Sequence, residues 1–160
     1  MRKHFASLLE EEMHKNKNIY LITADLGYGI LDSCKNNFTD RFYNTGAAEQ
    51  LMISIGIGLA ENNKIPVCYS ITPFLLYRPF EFLRNYVNYE NIPVKLVGSG
   101  RDKDYAHDGI SHWAEDDELI LKSLPNIKIF KPNSLSEMDK MWQEFINCKQ
   151  PCYLNLKRNI

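Results

Sequence analysis

Short apolar runs that suit strands alternate along this chain with segments of helical period, and that alternation is the strongest constraint on its fold. Phe5, Leu8, Leu9 and Met13 recur at three- and four-residue spacing and predict an amphipathic first helix that ends in the polar residues 15–18. Residues 19–24 follow as a β-branched strand closed by Asp25, Leu26 and Gly27. Residues 31–38 read as a short helix, 41–44 as a short strand, and 47–61 as a helix carrying Ser54, Gly56 and Gly58. Small residues let another backbone approach closely, so this helix is expected to be central and packed on both sides. Strands are then expected at 65–70, 93–97, 127–130 and 152–156, and helices at 79–90, 114–123 and 135–147. On the helix at 79–90, Phe80, Leu83 and Val87 share one face. Strands apolar on both faces, alternating with helices, imply a mostly parallel sheet covered by helices on both sides, a single three-layer α/β domain.

Composition narrows the function. A chain of 160 residues has room for one core. With 19 basic and 20 acidic residues it lacks the cationic excess of a polyanion binder, so nucleic acid is not expected as a partner. No apolar run approaches a membrane span, and the N-terminus has no signal-peptide core, so a cytoplasmic location is expected. Cys34, Cys68, Cys148 and Cys152 lack a second pair at zinc-ligand spacing, and they read as free thiols rather than as disulfides or metal ligands. No metal is expected on this chain itself.

In a parallel sheet, ligands gather beyond the carboxyl ends of the strands. The segments to inspect are therefore residues 25–29, 44–50, 70–78 and 98–112, and none carries a phosphate-loop or dinucleotide fingerprint. Glu49 would lie in the first turn of a helix. It serves there either as a carboxylate satisfying free backbone N–H groups or as a buried carboxyl sharing a proton with a ligand nitrogen. Asp108 and His112, four residues apart across Gly109, either face one cavity or form a plain turn capped by Ser111. His107 adds a second imidazole, and Phe74, Tyr77 and Phe80 supply aromatics that are either core or a cofactor platform.

Order and spacing join these pieces. Ala24-Asp25-Leu26 closes the first strand. Arg41-Phe-Tyr-Asn44 leads into Gly46-Ala-Ala-Glu49-Gln50, then Gly56-x-Gly58-Leu-Ala60. Asn91-Ile-Pro-Val94, Asp108-Gly-x-Ser-His112, Glu115-Asp-Asp117 and Pro125-Asn126 follow. Together they resemble, over residues 1–160, the pyrimidine-binding domain of the transketolase family of thiamine diphosphate enzymes. The resemblance implies that Glu49 hydrogen-bonds N1′ of the cofactor's aminopyrimidine, which favours the tautomer able to take the proton from the thiazolium carbon. It makes His112 and Asp108 a substrate-facing catalytic pair. It sets Asp25 near the thiazolium and Phe74 on the pyrimidine, with Tyr77 as a further aromatic and Ile71 where the family has an earlier one. Arg2 aligns with a family phosphate-holding arginine. Arg101, after a Gly100 that replaces a transketolase histidine, is similar to an arginine of the deoxyxylulose-phosphate synthase branch, and His107 is a further substrate-side candidate.

The family's diphosphate and its Mg²⁺ or Ca²⁺ are held by a second domain with a Gly-Asp-Gly signature, which does not occur in these 160 residues. The resemblance therefore implies a stand-alone, split transketolase-like subunit, active with a diphosphate-binding partner in an α2β2 heterotetramer and acting on small sugars or keto acids. Two-carbon ketol transfer between (phospho)sugars is the leading expectation. A 2-keto acid decarboxylase or a deoxyxylulose-phosphate-synthase-like subunit is the second. A regulatory or scaffold domain is the third, and the joint presence of Glu49, Asp108 and His112 argues against it.

Overall fold

The computed structural model describes residues 1–158. The apolar runs form β1 (Ile19–Thr23), β2 (Phe42–Asn44), β3 (Ile65–Ile71), β4 (Lys95–Ser99), β5 (Lys128–Phe130) and β6 (Cys152–Leu156). They pair side by side in the order β2-β1-β3-β4-β6-β5, and every pairing is parallel. The two edge strands are three residues long and partly exposed, whereas β4 and β6 are buried along their whole length.

Alternate residues of each strand feed opposite cores, as the pleat requires. Leu21, Val67, Val97 and Leu154 pack under α1 (Arg2–Lys15), α2 (Asp32–Asn37) and α7 (Leu135–Asn147), where Phe5 meets Trp142 edge-on at 6.0 Å. Ile22, Cys68, Leu96 and Tyr153 face the other way, against α3 (Glu49–Glu61), α4 (Thr72–Tyr77) and α6 (Asp117–Lys122). The helix α7 has the boundaries its sequence pattern predicts. Its Ser134 side chain accepts from the Glu137 backbone N–H, a cap that satisfies an otherwise orphaned donor. Arg41 is buried at the other end of the fold and donates to the carbonyls of Met13 and Asn16, closing the C-terminal turn of α1.

Three expectations change. The stretch at 70–78, where no helix is expected from the sequence, is largely α4, started by Pro73 in its first turn, where the missing N–H costs nothing. The helix expected at 79–90 is one α turn, α5 (Phe80–Phe82), that widens into π-helical turns (Leu83–Tyr89). Leu83 and Val87, four residues apart, are both buried there. The helix expected at 114–123 starts at Asp117, because Ala114 forms an antiparallel bridge with Asp102 instead.

The helix α3 also differs from the expectation of packing on both sides. Gly56 lies against β3, so that a Cβ there would come 2.8 Å from Cys68 Sγ, whereas Leu51 is 50% exposed and Gly58 faces open space. Among the described residues, no helix is long and apolar enough to cross a membrane.

Strands β4 and β6 leave no slack where they meet the α4 face. A Cβ on Gly98 would lie 2.5 Å from Thr72 Oγ1 and 2.8 Å from the Tyr153 hydroxyl. Gly98→Ala is therefore expected to destabilise the fold by about 1–3 kcal/mol, seen as a lower urea midpoint with an unchanged slope.

Candidate active site

The chain steps from β1 out to the edge at β2, then back across β1 to β3, so the strand order reverses between β1 and β3. The carboxyl ends of those strands flank a crevice suited to ligands. Asp25 leaves β1 with φ +53°, and its backbone N–H donates to Asn44 Oδ1 at 2.9 Å. The same oxygen accepts from the Gly46 N–H at 3.0 Å, so one amide holds the two loops together. Gly46 takes φ +67° and the chain turns straight into α3.

Glu49 is the first residue of that helix and is 2% exposed. Its carboxylate accepts from Arg78 Nη1 at 2.8 Å. The Arg78 guanidinium lies over the Phe74 ring, 3.7 Å from its centroid. Phe74 meets His112 edge-on at 4.8 Å, and His112 sits 6.2 Å from the Tyr105 ring. The Tyr105 hydroxyl accepts from Arg2 Nη1 at 3.2 Å and is 3.0 Å from Ser99 Oγ, while the Arg158 guanidinium covers its ring at 4.6 Å. A row of cations and rings thus runs along the carboxyl edge from Glu49 to Arg2 and Arg158. At the arginine end, Arg2, Lys3, His4, Tyr28 and Arg158 help to line a cavity of about 750 Å³.

The structure brings Glu49, Phe74, His112 and Arg2 into this row. Ile71 ends β3 at the row's base and is 7% exposed. Asp25 is exposed at the end of β1, and its carboxylate accepts from the Tyr28 hydroxyl. Tyr77 is 43% exposed; burial and a hydrogen bond to Asp116 push its hydroxyl pKa up. It lines a separate cavity of about 470 Å³ with Ile110, Trp113 and Asp116. Asp108 pairs with His107 Nε2 at 3.2 Å, while His112 Nδ1 lies 2.9 Å from Ser111 Oγ.

Arg101 takes a position away from the row. It is 3% exposed and turned inward, donating to Asn155 Oδ1 (2.5 Å), Asn133 Oδ1 (2.9 Å) and the carbonyls of Pro132 and Asn155 (2.8 Å each). These four internal acceptors take up most of the guanidinium's donors. The preceding Gly100, at φ +88°, is required because a Cβ there would lie 2.3 Å from the Tyr105 ring. The Gly100–Arg101 pair thus has a structural cause.

Sequence reading missed Arg78, Tyr105 and Arg158. Arg78 had no local signal, since its partner lies 29 positions away. Tyr105 had one, a glycine five residues earlier with no side chain to obstruct a ring.

Asn155 also donates to Asp117, which accepts from the Tyr153 hydroxyl at 2.9 Å. Burial pushes the Asp117 carboxyl above its ordinary value, against the opposing pull of those donors. The stability it contributes is present below the unfolded carboxylate pKa of about 3.9 and is lost as pH rises through the higher folded value. The stability of the wild type relative to Asp117→Asn should therefore fall as pH rises from about 3 to 7, measured by urea unfolding at each pH.

A six-stranded, all-parallel sheet flanked by helices, with a buried carboxylate and an aromatic row at its carboxyl edge, defines a single α/β domain. The chain belongs to the family described as "Transketolase, pyrimidine binding domain", which matches residues 1–160. A protein of Methanocaldococcus jannaschii named "Putative transketolase C-terminal section" is 31% identical over 159 residues, 99% of this chain and 50% of its own length. An apulose-4-phosphate transketolase subunit of Actinobacillus succinogenes is 34% identical over 119 residues, 74% of this chain and 38% of that one. A solved structure described as split gene transketolase, inactive β4 tetramer, superposes with a TM-score of 0.83 at 28% identity, covering 98% of this chain and 50% of that one. The chain thus spans half or less of the length of these relatives.

Proposed function

We propose that this chain is the pyrimidine-binding part of a thiamine diphosphate-dependent, split transketolase that transfers a two-carbon ketol unit between sugars or sugar phosphates. One observation carries the reading. Glu49, buried at a helix start, is bonded to a flat, cationic N–H donor stacked on an aromatic ring. An aminopyrimidine with a proton at N1′ is also a flat N–H donor, so the residues present fit that half of the cofactor.

In this reading Glu49 Oε1 holds a proton shared with N1′, Phe74 supplies the stacking face, and Ile71 forms an aliphatic floor. When bound, thiamine diphosphate supplies the electron sink for making and breaking a carbon–carbon bond beside a carbonyl. His112, fixed edge-on against Phe74, is the group placed to hydrogen-bond a substrate oxygen. Asp25, and Asp108 with His107, are assigned to the outer polar wall. Arg2 and Arg158, which meet on Tyr105, form a fork for a substrate phosphate.

The exposed Leu51 face of α3, continuous with Glu49, is read as the side on which a diphosphate-binding partner closes the site. The Mg²⁺ or Ca²⁺ is assigned to that partner, and the assembly is read as an α2β2 heterotetramer working in the cytoplasm. A relative described as an inactive tetramer of one chain type supports the need for a partner.

The test is ketol transfer by the chain combined with a diphosphate-binding transketolase subunit, with carbon dioxide release from pyruvate measured in parallel. Glu49→Gln should lower transfer by about 10²–10⁴-fold while far-UV circular dichroism is unchanged; near-normal turnover would refute the assignment. Arg158→Met should raise KM about tenfold or more for phosphorylated acceptors, and leave unphosphorylated ones little changed.

A further inference from the structure

Arg78 makes both contacts that the proposed reading gives to the pyrimidine ring. Its guanidinium plane covers Phe74 at 3.7 Å, and its Nη1 donates to Glu49 Oε1 at 2.8 Å. Two flat groups cannot occupy one stacking face and one carboxylate lone pair together. The backbone at Arg78 is set in helical geometry (φ −62°, ψ −44°) at the end of α4, with buried Pro79 behind it. The side chain is 46% exposed, so only the long, rotatable stem needs to move for the guanidinium to swing outward.

We infer that Arg78 is an internal competitor for the cofactor's pyrimidine site, a stand-in ligand that compensates buried Glu49 until the ring displaces it. This rests on the reading of Glu49 and Phe74 as the pyrimidine site.

The physical argument has two sides. A carboxylate 2% exposed is costly without a cation or donor, so a chain with no ligand needs Arg78 for Glu49 to stay buried. The same contact lowers the fraction of molecules open to the cofactor, and apparent affinity falls by that fraction. If the inward arrangement outweighs the outward one by about ten to one, the apparent Kd rises about tenfold. Arg78 is thus a positioning residue that sets cofactor affinity, and it takes no part in the bond-making steps.

The experiment is calorimetric titration of thiamine diphosphate with Mg²⁺ into the chain combined with its diphosphate-binding subunit, for wild type, Glu49→Gln, Arg78→Met and Arg78→Lys. Arg78→Met keeps the apolar stem and removes the plane and the charge, and it should bind about tenfold more tightly. Arg78→Lys, which keeps charge but cannot stack as a plane, should fall between them. In the free chain, Arg78→Met should lower the thermal midpoint by about 3–8 °C, and the double variant Glu49→Gln/Arg78→Met should recover most of that loss.

Equal or weaker binding by both Arg78 variants, with wild-type binding still dependent on Glu49, would overturn the competitor role alone. Wild-type binding that does not depend on Glu49 would overturn the pyrimidine-site reading and this inference with it. An unchanged midpoint in Arg78→Met would show that Glu49 does not rely on Arg78 in the free chain, and would also count against it.

Discussion

Arg101 turns inward just past the end of β4, and the guanidinium it buries joins the parts of the carboxyl edge that no backbone ladder joins. Its donors reach Asn155 on β6 and the turn at Pro132 and Asn133 before α7. Asn155 and Tyr153 in turn hold Asp117 at the start of α6. Buried polar groups of this kind must all be satisfied together, because any one left unpaired keeps its full desolvation cost. The network therefore fixes where α6 and α7 begin relative to the sheet. With Gly100 admitting the Tyr105 ring, it also fixes the height of the ledge on which Arg2 and Arg158 meet.

Upon that floor the site is organised by charge and ring faces. Glu49 is drawn into the protein by a helix that has its apolar face on the sheet, and the burial obliges it to find a partner. The partner is a cation that also needs a flat surface, and Phe74 provides it. Phe74 then orients His112, and His112 lies beside Tyr105. Each member of the row restricts the next, which gives a largely preformed edge of the kind small-ligand sites show.

Much of the fold was legible in the residues. The six strands and the helices α1, α2, α3 and α7 follow from apolar periodicity, and α7 matches its pattern from first residue to last. Glu49, Phe74 and His112 were readable as candidates because their motifs are local. What escaped were features set by distant contacts. Thr72–Tyr77 shows no helical period of its own and becomes a helix where Leu75 and Leu76 find the core. The π-helical turns at Leu83–Tyr89 have the same period-four apolar pair that an α-helix has. The inward turn of Arg101 escaped too, because a one-dimensional motif does not say which way a guanidinium points.

The sequence by itself determined the α/β architecture, the family, and the carboxylate at the head of α3. Hydrophobic period, small residues at close approaches and motif order are all local properties of the chain. Only the tertiary structure decided which charges are paired with which. Glu49 with Arg78, Arg101 with Asn155, and Arg2 and Arg158 on Tyr105 are separated by 29, 54, 103 and 53 positions, respectively. A charge's partner depends on burial and on distance through space, and both are set when strands from across the chain align at one edge of the sheet.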